Sequence, residues 1–217
     1  MMSFHRSNFI LTLITGFVLL VSACQQPQNT VNRLDKQTVS DENLDVAIFA
    51  GGCFWCTESD FDKLPGVIET TSGYIGGSVV NPTYKQVVSG KTGHIEAVKI
   101  QFDKTQISYA ELLDAFWPTI DPVFEGGQFC DIGPQYRSAI FYLNPEQKTL
   151  AEASKAALQA SGRFDQPIAT VILPATEFYA AEDYHQDYYL KNPLRYSYYR
   201  NNCGRDERLQ QLWGTDH

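Results

Sequence analysis

Strand patterns and helix patterns alternate irregularly along most of the chain. Short apolar or alternating runs predict strands over residues 46–50, 67–74, 95–102, 138–143 and 169–173. Helical patterns between or after them cover residues 53–64, 108–117, 144–162 and 182–190. Because the strands are few and several helices are long enough to cross a sheet, this order favours an α+β fold over a doubly wound sheet. We expect a two-layer α/β sandwich with a ferredoxin-like core and long active-site loops, one of them over residues 121–135.

The N-terminal segment, residues 1–23, has a different character from the rest. It carries no acidic residue and a single arginine, Arg6, and residues 9–21 are apolar apart from two threonines and a glycine. That run is too short to cross a bilayer of roughly 30 Å and is typical of a secretory signal peptide. The residues before Cys24, Val-Ser-Ala, resemble a bacterial lipobox, in which Cys24 is lipidated. The alternatives are a cleavable signal peptide with an incidental Cys24, or a retained membrane anchor.

Composition then separates a linker from a domain. Residues 24–44 are rich in Gln, Asn and Asp and predict a flexible tether, so we assign residues 45–217 to one catalytic domain. A lipid on Cys24 would hold that domain on a membrane of the cell envelope, facing the periplasm or the exterior, where paired cysteines oxidise readily. The net charge of −8, with no cluster of Lys and Arg, argues against nucleic-acid binding.

A Gly-Gly turn followed by a Cys-x-x-Cys pair is the most informative chemical feature. Cys53 follows Gly52 and opens a predicted helix, where unpaired N–H groups and the helix dipole favour a thiolate. Cys56 lies one helical turn further on, where a disulfide with Cys53 can form. Two inert buried cysteines are the structural alternative. A zinc site would also need Cys130 and Cys203, which are single cysteines and not a second Cys-x-x-Cys pair, so we expect no metal.

Further short motifs carry a family resemblance. They are residues 52–55 (GCFW), 73–77 (GYIGG), 81–84 (NPTY), 93–98 (GHIEAV), 131–138 (DIGPQYRS) and 181–186 (AEDYHQ). In this order the chain resembles peptide methionine sulfoxide reductases of the A class over roughly residues 46–200. The resemblance implies an enzyme that reduces the S epimer of methionine sulfoxide, in oxidised proteins and peptides or as the free amino acid, with no bound cofactor.

The resemblance also implies roles for individual residues. Cys53 would attack the sulfoxide sulfur and become a sulfenic acid, while Glu96 would protonate the oxygen. The residues implied around them share the task of binding the sulfoxide: Tyr84 and Tyr136 on its oxygen, Phe54 and Trp55 around its methyl group, and Asp131 in support. His94 and His185 lie in matching segments, and we expect structural or supporting roles for both.

A second thiol must resolve the sulfenic acid. The best-known family pattern has Gly at the position of Cys56 and places resolving cysteines in a Gly-rich tail, which this chain lacks. We therefore favour Cys56 as the first resolving thiol over Cys203, which would then relay the disulfide outward, and we interpret Cys130 as incidental. The resemblance implies a thioredoxin-like electron donor, and we expect a monomer.

Two other functions stay open at this point. A Cys-x-x-Cys motif at a helix start is also the active-site motif of general thiol–disulfide oxidoreductases. In that case Glu96, Tyr84 and Tyr136 would have no catalytic role. A lipoprotein that binds Met-rich or oxidised partners without turnover is the other alternative. It predicts that Cys53→Ser protects such partners as well as the wild type does.

Overall fold

The computed structural model describes residues 1–2 and 40–214. The predicted signal peptide, the lipidation site Cys24 and most of the tether lie outside the described residues. Everything below concerns the compact unit Gln37–His217. Among its described helices, none combines the length and the apolar character that crossing a membrane requires.

The described residues of this unit form eight strands and seven α-helices. The strands are β1 (Leu44–Gly51), β2 (Val67–Ile75), β3 (Ile95–Asp103), β4 (Gly127–Gln128), β5 (Asp131–Ile132), β6 (Ser138–Tyr142), β7 (Val171–Pro174) and β8 (Tyr179–Ala180). The helices are α1 (Phe54–Phe61), α2 (Tyr84–Val87), α3 (Tyr109–Phe116), α4 (Pro145–Ala160), α5 (Tyr188–Lys191), α6 (Pro193–Asn202) and α7 (Arg205–Trp213). Short 3-10 helices cover Asp41–Asn43, Trp117–Thr119 and Pro134–Tyr136.

The main sheet has the strand order β7-β6-β1-β3-β2-β8. Strand β1 is antiparallel to both β3 and β6, and β2 is antiparallel to β3. The central four strands, β6-β1-β3-β2, are therefore two interlocked split β–α–β units, with α1 and α3 as the crossovers. This arrangement confirms the predicted ferredoxin-like core. Strand β7 extends one edge parallel to β6, and β8 extends the other edge antiparallel to β2.

Apolar side chains cover both faces of the sheet. On one face Phe49 of β1 stacks on Phe116 of α3 at 4.9 Å between ring centroids, within a cluster that also buries Phe61 of α1. On the other face Phe141 of β6 belongs to a second cluster, against which Phe178 packs. Both apolar clusters include residues of β1 and β3, so these central strands are packed on both faces and held in place.

The sheet register decides which side chains meet at the site. Strand β1 runs antiparallel to β3, with Phe49 opposite Val98. Continuing that register places Gly51, the end of β1, opposite Glu96, near the start of β3. The turn that follows Gly51 carries Cys53, so two residues that are 43 positions apart in sequence lie at the same edge of the sheet.

Several local predictions hold and others do not. The capping box predicted at Ser108 and Glu111 starts α3, and Asn144 caps α4. The helix predicted over residues 182–190 is replaced by a turn followed by the short α5. The cause is side-chain bonding to the backbone of β2: Gln186 accepts from the Ser72 N–H and donates to the Ser72 carbonyl, both at 2.9 Å. Helices α6 (Pro193–Asn202) and α7 (Arg205–Trp213) follow in a segment for which no helix was predicted.

Candidate active site

Cys53 is the N-cap residue of α1, at the end of a sharp turn. Gly52 has φ +88°, and a Cβ there would lie 2.5 Å from Cβ of Gln128, so only glycine fits. The carbonyl of Cys53 accepts the N–H groups of Cys56 and Thr57 at 3.1 and 3.3 Å and closes the first turn. The Cys53 side chain is only 6% exposed. The helix is thus shorter than predicted and starts one residue later.

Glu96 is a buried carboxyl group beside that turn. It is 2% exposed, and its Oε2 accepts a hydrogen bond from the backbone N–H of Phe54 at 3.1 Å. Burial raises the pKa of Glu96 to about 8, although the Phe54 N–H opposes the rise. The Asp131 carboxyl and the Cys56 thiol raise that pKa further. Glu96 therefore carries a proton near neutral pH and can donate it.

The two thiols of the Cys-x-x-Cys pair are free and hydrogen-bonded to each other. Burial raises the pKa of Cys53, and its neighbours Cys56, Glu96 and Asp131 raise it further. Their shared hydrogen bond instead lowers the pKa of Cys56 to about 7. The helix N-terminus does not activate Cys53 as predicted, because the first free amide binds Glu96. Cys53 is therefore a shielded thiol next to a second thiol that ionises more easily.

Both predicted tyrosines lie near this centre. Burial and the nearby Glu96 carboxyl raise the pKa of Tyr84 to about 12, and the Cys53 thiol contributes to the rise. Burial and Glu96 raise the pKa of Tyr136 as well, with Tyr84 next among the causes. Both phenols are therefore neutral and can donate hydrogen bonds at any physiological pH.

Asp131 is held by a residue that the sequence analysis missed. The Tyr199 hydroxyl, on α6, donates to Oδ2 of Asp131 at 2.5 Å, and burial and the Cys53 thiol are among the causes that raise the pKa of Tyr199. Burial raises the pKa of Asp131, while the Tyr199 bond and the Arg205 charge oppose the rise. The signal for α6 was present in Asn192-Pro193, the same Asn-Pro start that predicted α4.

A family model described as peptide methionine sulfoxide reductase matches residues 45–217 of this chain. The chain belongs to the peptide methionine sulfoxide reductase family. It is similar to peptide methionine sulfoxide reductase MsrA of Bacillus licheniformis, with 53% identity over 176 residues that cover 81% of this chain and 97% of that protein.

Two solved structures are also similar to the chain. Methionine sulfoxide reductase A of Corynebacterium diphtheriae has a TM-score of 0.62 and 36% identity, and the match covers 70% of this chain and 76% of that one. Mxr1 from Saccharomyces cerevisiae in reduced form has a TM-score of 0.67 and 31% identity, over 72% of this chain and 90% of that one. Both agree with the predicted α+β fold.

In this reductase the aromatic residues after Cys53 surround a buried histidine. The Trp55 Nε1–H donates to Nδ1 of His185 at 3.0 Å, and the Trp55 ring stacks on Tyr188 at 3.7 Å between centroids. Phe54 is fully buried, with the His185 ring 5.0 Å away. Burial lowers the pKa of His185, so its ring is neutral and orients Trp55. His94 is held by backbone groups instead, since its Nε2 lies 2.8 Å from the Val79 carbonyl.

The remaining two cysteines of the described chain correct the sequence analysis. Cys130 and Cys203 form a disulfide that joins the loop carrying Asp131 to the junction of α6 and α7. The interpretation of Cys130 as an incidental thiol is therefore wrong, because the fold brings two distant segments together above the site. The bond also removes two of the four thiolates that the zinc alternative required.

Proposed function

We propose that this reductase converts the S epimer of methionine sulfoxide, in proteins and peptides or free, to methionine. The observation that carries the proposal is the meeting of the Cys53 thiol with the buried, protonated Glu96 carboxyl at one edge of the sheet. A sulfoxide has an electrophilic sulfur and a basic oxygen, so its reduction needs a nucleophile and an acid close together. The family match over residues 45–217 supports the same reaction.

The first half-reaction consumes the sulfoxide. The Cys53 sulfur attacks the sulfoxide sulfur while Glu96 delivers a proton to the oxygen, and Tyr84 and Tyr136 hold that oxygen by their hydroxyl groups. The Cys53 thiol proton returns to Glu96. The hydroxyl group then forms a bond to the Cys53 sulfur as the substrate sulfur–oxygen bond and the new sulfur–sulfur bond break, which leaves Cys53 as a sulfenic acid. Methionine is released with two electrons gained, and Cys53 is oxidised by two electrons.

Side chains around the thiol would select the substrate. The half-buried face of Trp55, with Phe54 behind it, offers an apolar seat for the S-methyl group. Asp131 acts in support, and it is held in place by the Tyr199 hydroxyl, whose pKa is raised by burial and by the Cys53 thiol.

Cys56 is the better candidate for the resolving thiol. It is hydrogen-bonded to Cys53, and its pKa of about 7 makes a thiolate available at neutral pH. Cys203 is bonded to Cys130 and cannot attack while that bond stands. Attack of the Cys56 thiolate on the Cys53 sulfenic acid forms a disulfide and releases water. A thioredoxin-like dithiol then reduces that disulfide by exchange, and no bound cofactor is needed.

A general thiol–disulfide oxidoreductase is the second candidate, favoured by the low pKa of Cys56 within the pair. It would reduce protein disulfides such as those of insulin and would leave sulfoxides unchanged. Glu96, buried and protonated beside Cys53, has no task in that reaction.

We further propose that the reductase is a lipid-anchored monomer of the cell envelope. The apolar run at residues 9–21 and the lipobox-like residues before Cys24 support a lipid on that cysteine. The domain would face the periplasm or the exterior, and its donor would draw electrons from across the membrane. Labelling with a radioactive fatty acid tests this: the wild type should incorporate label and sediment with membranes, and Cys24→Ser should do neither.

A single-turnover assay tests the reaction itself. The unit Gln37–His217, with Cys53 and Cys56 reduced and the Cys130–Cys203 bond intact, is mixed with separated S and R epimers of a methionine sulfoxide peptide, and its thiols are counted before and after. We expect methionine from the S epimer alone, with two thiols lost as the Cys53–Cys56 disulfide forms, and mass mapping should identify those two. No reduction of either epimer by folded enzyme with intact thiols would exclude the proposal and favour the oxidoreductase.

A further inference from the structure

Arg205 is a buried cation without a carboxylate partner. It is 1% exposed, and its guanidinium donates to two backbone carbonyls, Gly51 at 3.1 and 3.2 Å and Thr119 at 2.7 Å. Within the described chain no carboxylate lies within ion-pair distance of it. Two neighbouring arginines behave differently: Arg200 binds Asp60 and Asp206, and Arg208 binds Asp121, all at 2.7 to 2.9 Å.

The guanidinium lies directly against the turn that carries the cysteine pair. A Cβ on Gly51 would be 3.7 Å from its Nη2, and a Cβ on Gly52 would be 3.8 Å from its Nη1. The Phe129 ring covers it at 4.5 Å from the ring centroid. Arg205 is thus clamped between the turn and an aromatic ring, and it cannot swing out to solvent to pair with a surface carboxylate.

An unpaired buried charge is costly, and nearby negative charge must offset that cost. Two groups near Arg205 can become negative, the Cys56 thiol and the Asp131 carboxyl, and the Arg205 charge lowers the pKa of each. Asp131 is already hydrogen-bonded to Tyr199. Cys56, by contrast, has only a thiol as its hydrogen-bonded side-chain partner.

The other groups that face Cys56 complete the electrostatic account. Its pKa is influenced by Cys53, by Arg205, by Arg200 and by Asp60, and its charge in turn acts on Tyr196 and on the Glu96 carboxyl. Arg200 also favours the thiolate, but Asp60 and Asp206 bind it directly and offset its charge. Arg205 is the larger electrostatic influence of the two arginines and is the one without an ion-pair partner.

We propose that Arg205 is a positioning residue for the resolving step, holding the turn and stabilising the Cys56 thiolate that attacks the oxidised Cys53. The inference rests on the proposed function. In the step, the Cys56 thiolate forms a bond to the Cys53 sulfur, the sulfur–oxygen bond of the sulfenic acid breaks, and the departing hydroxide takes a proton from Glu96 to leave as water. Before that step Arg205 offsets the negative charge on Cys56, and afterwards no charge remains there.

The test separates the two half-reactions in the reduced unit Gln37–His217. For Arg205→Met we expect disulfide formation to slow by about fivefold at pH 7 relative to methionine formation, because a rise of about one unit in the Cys56 pKa from about 7 lowers the thiolate fraction from roughly one half to roughly one eleventh. The slowed step should recover as the pH is raised. Arg205→Lys, which keeps the charge, should lie between the two. The matched control is Arg208→Met on the same helix, and its disulfide should form at the wild-type rate.

A second measurement needs no substrate. In a Cys53→Ser background, ultraviolet absorbance of the thiolate gives the titration midpoint of Cys56, which should move up by about one unit when Arg205 becomes Met. An unchanged midpoint and an unchanged pH profile of disulfide formation would overturn the role of Arg205, even if the variant were less stable. If the enzyme made no methionine at all, the proposed function would fail, and the titration would still decide whether Arg205 controls Cys56.

Discussion

The two cysteine pairs of the described domain differ in almost every physical respect. Cys53 and Cys56 share one helical turn, are buried and carry free thiols. Cys130 and Cys203 are separated by 73 residues and are bonded, with Cys130 exposed at the surface. The buried pair faces the protonated Glu96 and the cation of Arg205. The surface pair instead connects a loop to the C-terminal helices.

This difference indicates which pair can form and break a disulfide in each turnover. A disulfide stabilises a fold mainly by restricting the unfolded chain, and the effect grows with the length of the loop that it closes. Closing the long loop between Cys130 and Cys203 therefore contributes to stability, and opening it would cost stability at every turnover. Closing the short loop between Cys53 and Cys56 restricts the unfolded chain far less, so this bond can open and close while the fold stays intact.

The largest expected effect tests whether the buried pair depends on Glu96 as its proton donor. Glu96→Gln removes the proton donor but keeps the size of the side chain, so methionine formation in a single turnover should slow by about 10²- to 10⁴-fold. The Cys130–Cys203 bond takes no part in this step as we assign it, so it should be unaffected. Stopped-flow quenching with product analysis measures the rate. A Gln variant that keeps the wild-type rate would show that the acid is another group.

The pH dependence of the same step provides the control. With a pKa of about 8, Glu96 holds its proton below that pH and loses it above, so the wild-type rate should lose its acid-dependent part as the pH rises through 8. In Glu96→Gln that loss should disappear. Stability gives an independent readout: the folded pKa lies above the ordinary value of 4.5, so wild-type stability should fall between pH 4.5 and 8 by more than that of the Gln variant.

The next effect compares the pairs directly through Cys56→Ser and Cys203→Ser. Cys56→Ser should still form one equivalent of methionine per enzyme but lose turnover with thioredoxin by more than about tenfold, because the sulfenic acid no longer has a neighbouring thiol. Cys203→Ser should keep its turnover. Coupled consumption of the donor's reductant measures both variants. Normal turnover in Cys56→Ser together with its loss in Cys203→Ser would reverse the assignment of the resolving thiol.

The sequence alone predicted the parts of the site that depend on local patterns. The Gly-Gly turn, the helix start at Cys53 and the strand that carries Glu96 are each encoded within a few residues, so their positions were predictable from the printed chain. The order of strands and helices was enough for the ferredoxin-like core, which the sheet topology confirms.

Long-range contacts set the remaining features, and no local pattern encodes them. The Cys130–Cys203 bond and the buried position of Arg205 both depend on how α6 and α7 fold back over the turn at Gly51. Residues 182–190 have a helical pattern, but the bonds from Gln186 to the backbone of β2 outweigh it. The shielding of Cys53 is likewise a tertiary effect, because the helix amide that was expected to activate the thiol binds Glu96.

The smallest expected effect on activity comes from the surface pair, and there stability is the sensitive readout. Replacing both Cys130 and Cys203 by serine opens a 73-residue loop, which the chain-entropy account values at about 3 to 5 kcal/mol of unfolding free energy. Activity should change by no more than about twofold, as for surface substitutions, because the Tyr199–Asp131 bond and the carbonyl contacts of Arg205 persist.

Chemical denaturation with and without a reductant measures the loss. The reduced wild type should match the double serine variant, and Cys56→Ser should lose less stability than either, since it opens no long loop. If the double variant kept its stability but lost turnover, the surface pair would take part in the reaction. The assignment of a structural role to Cys130–Cys203 and a catalytic role to Cys53–Cys56 would then be wrong.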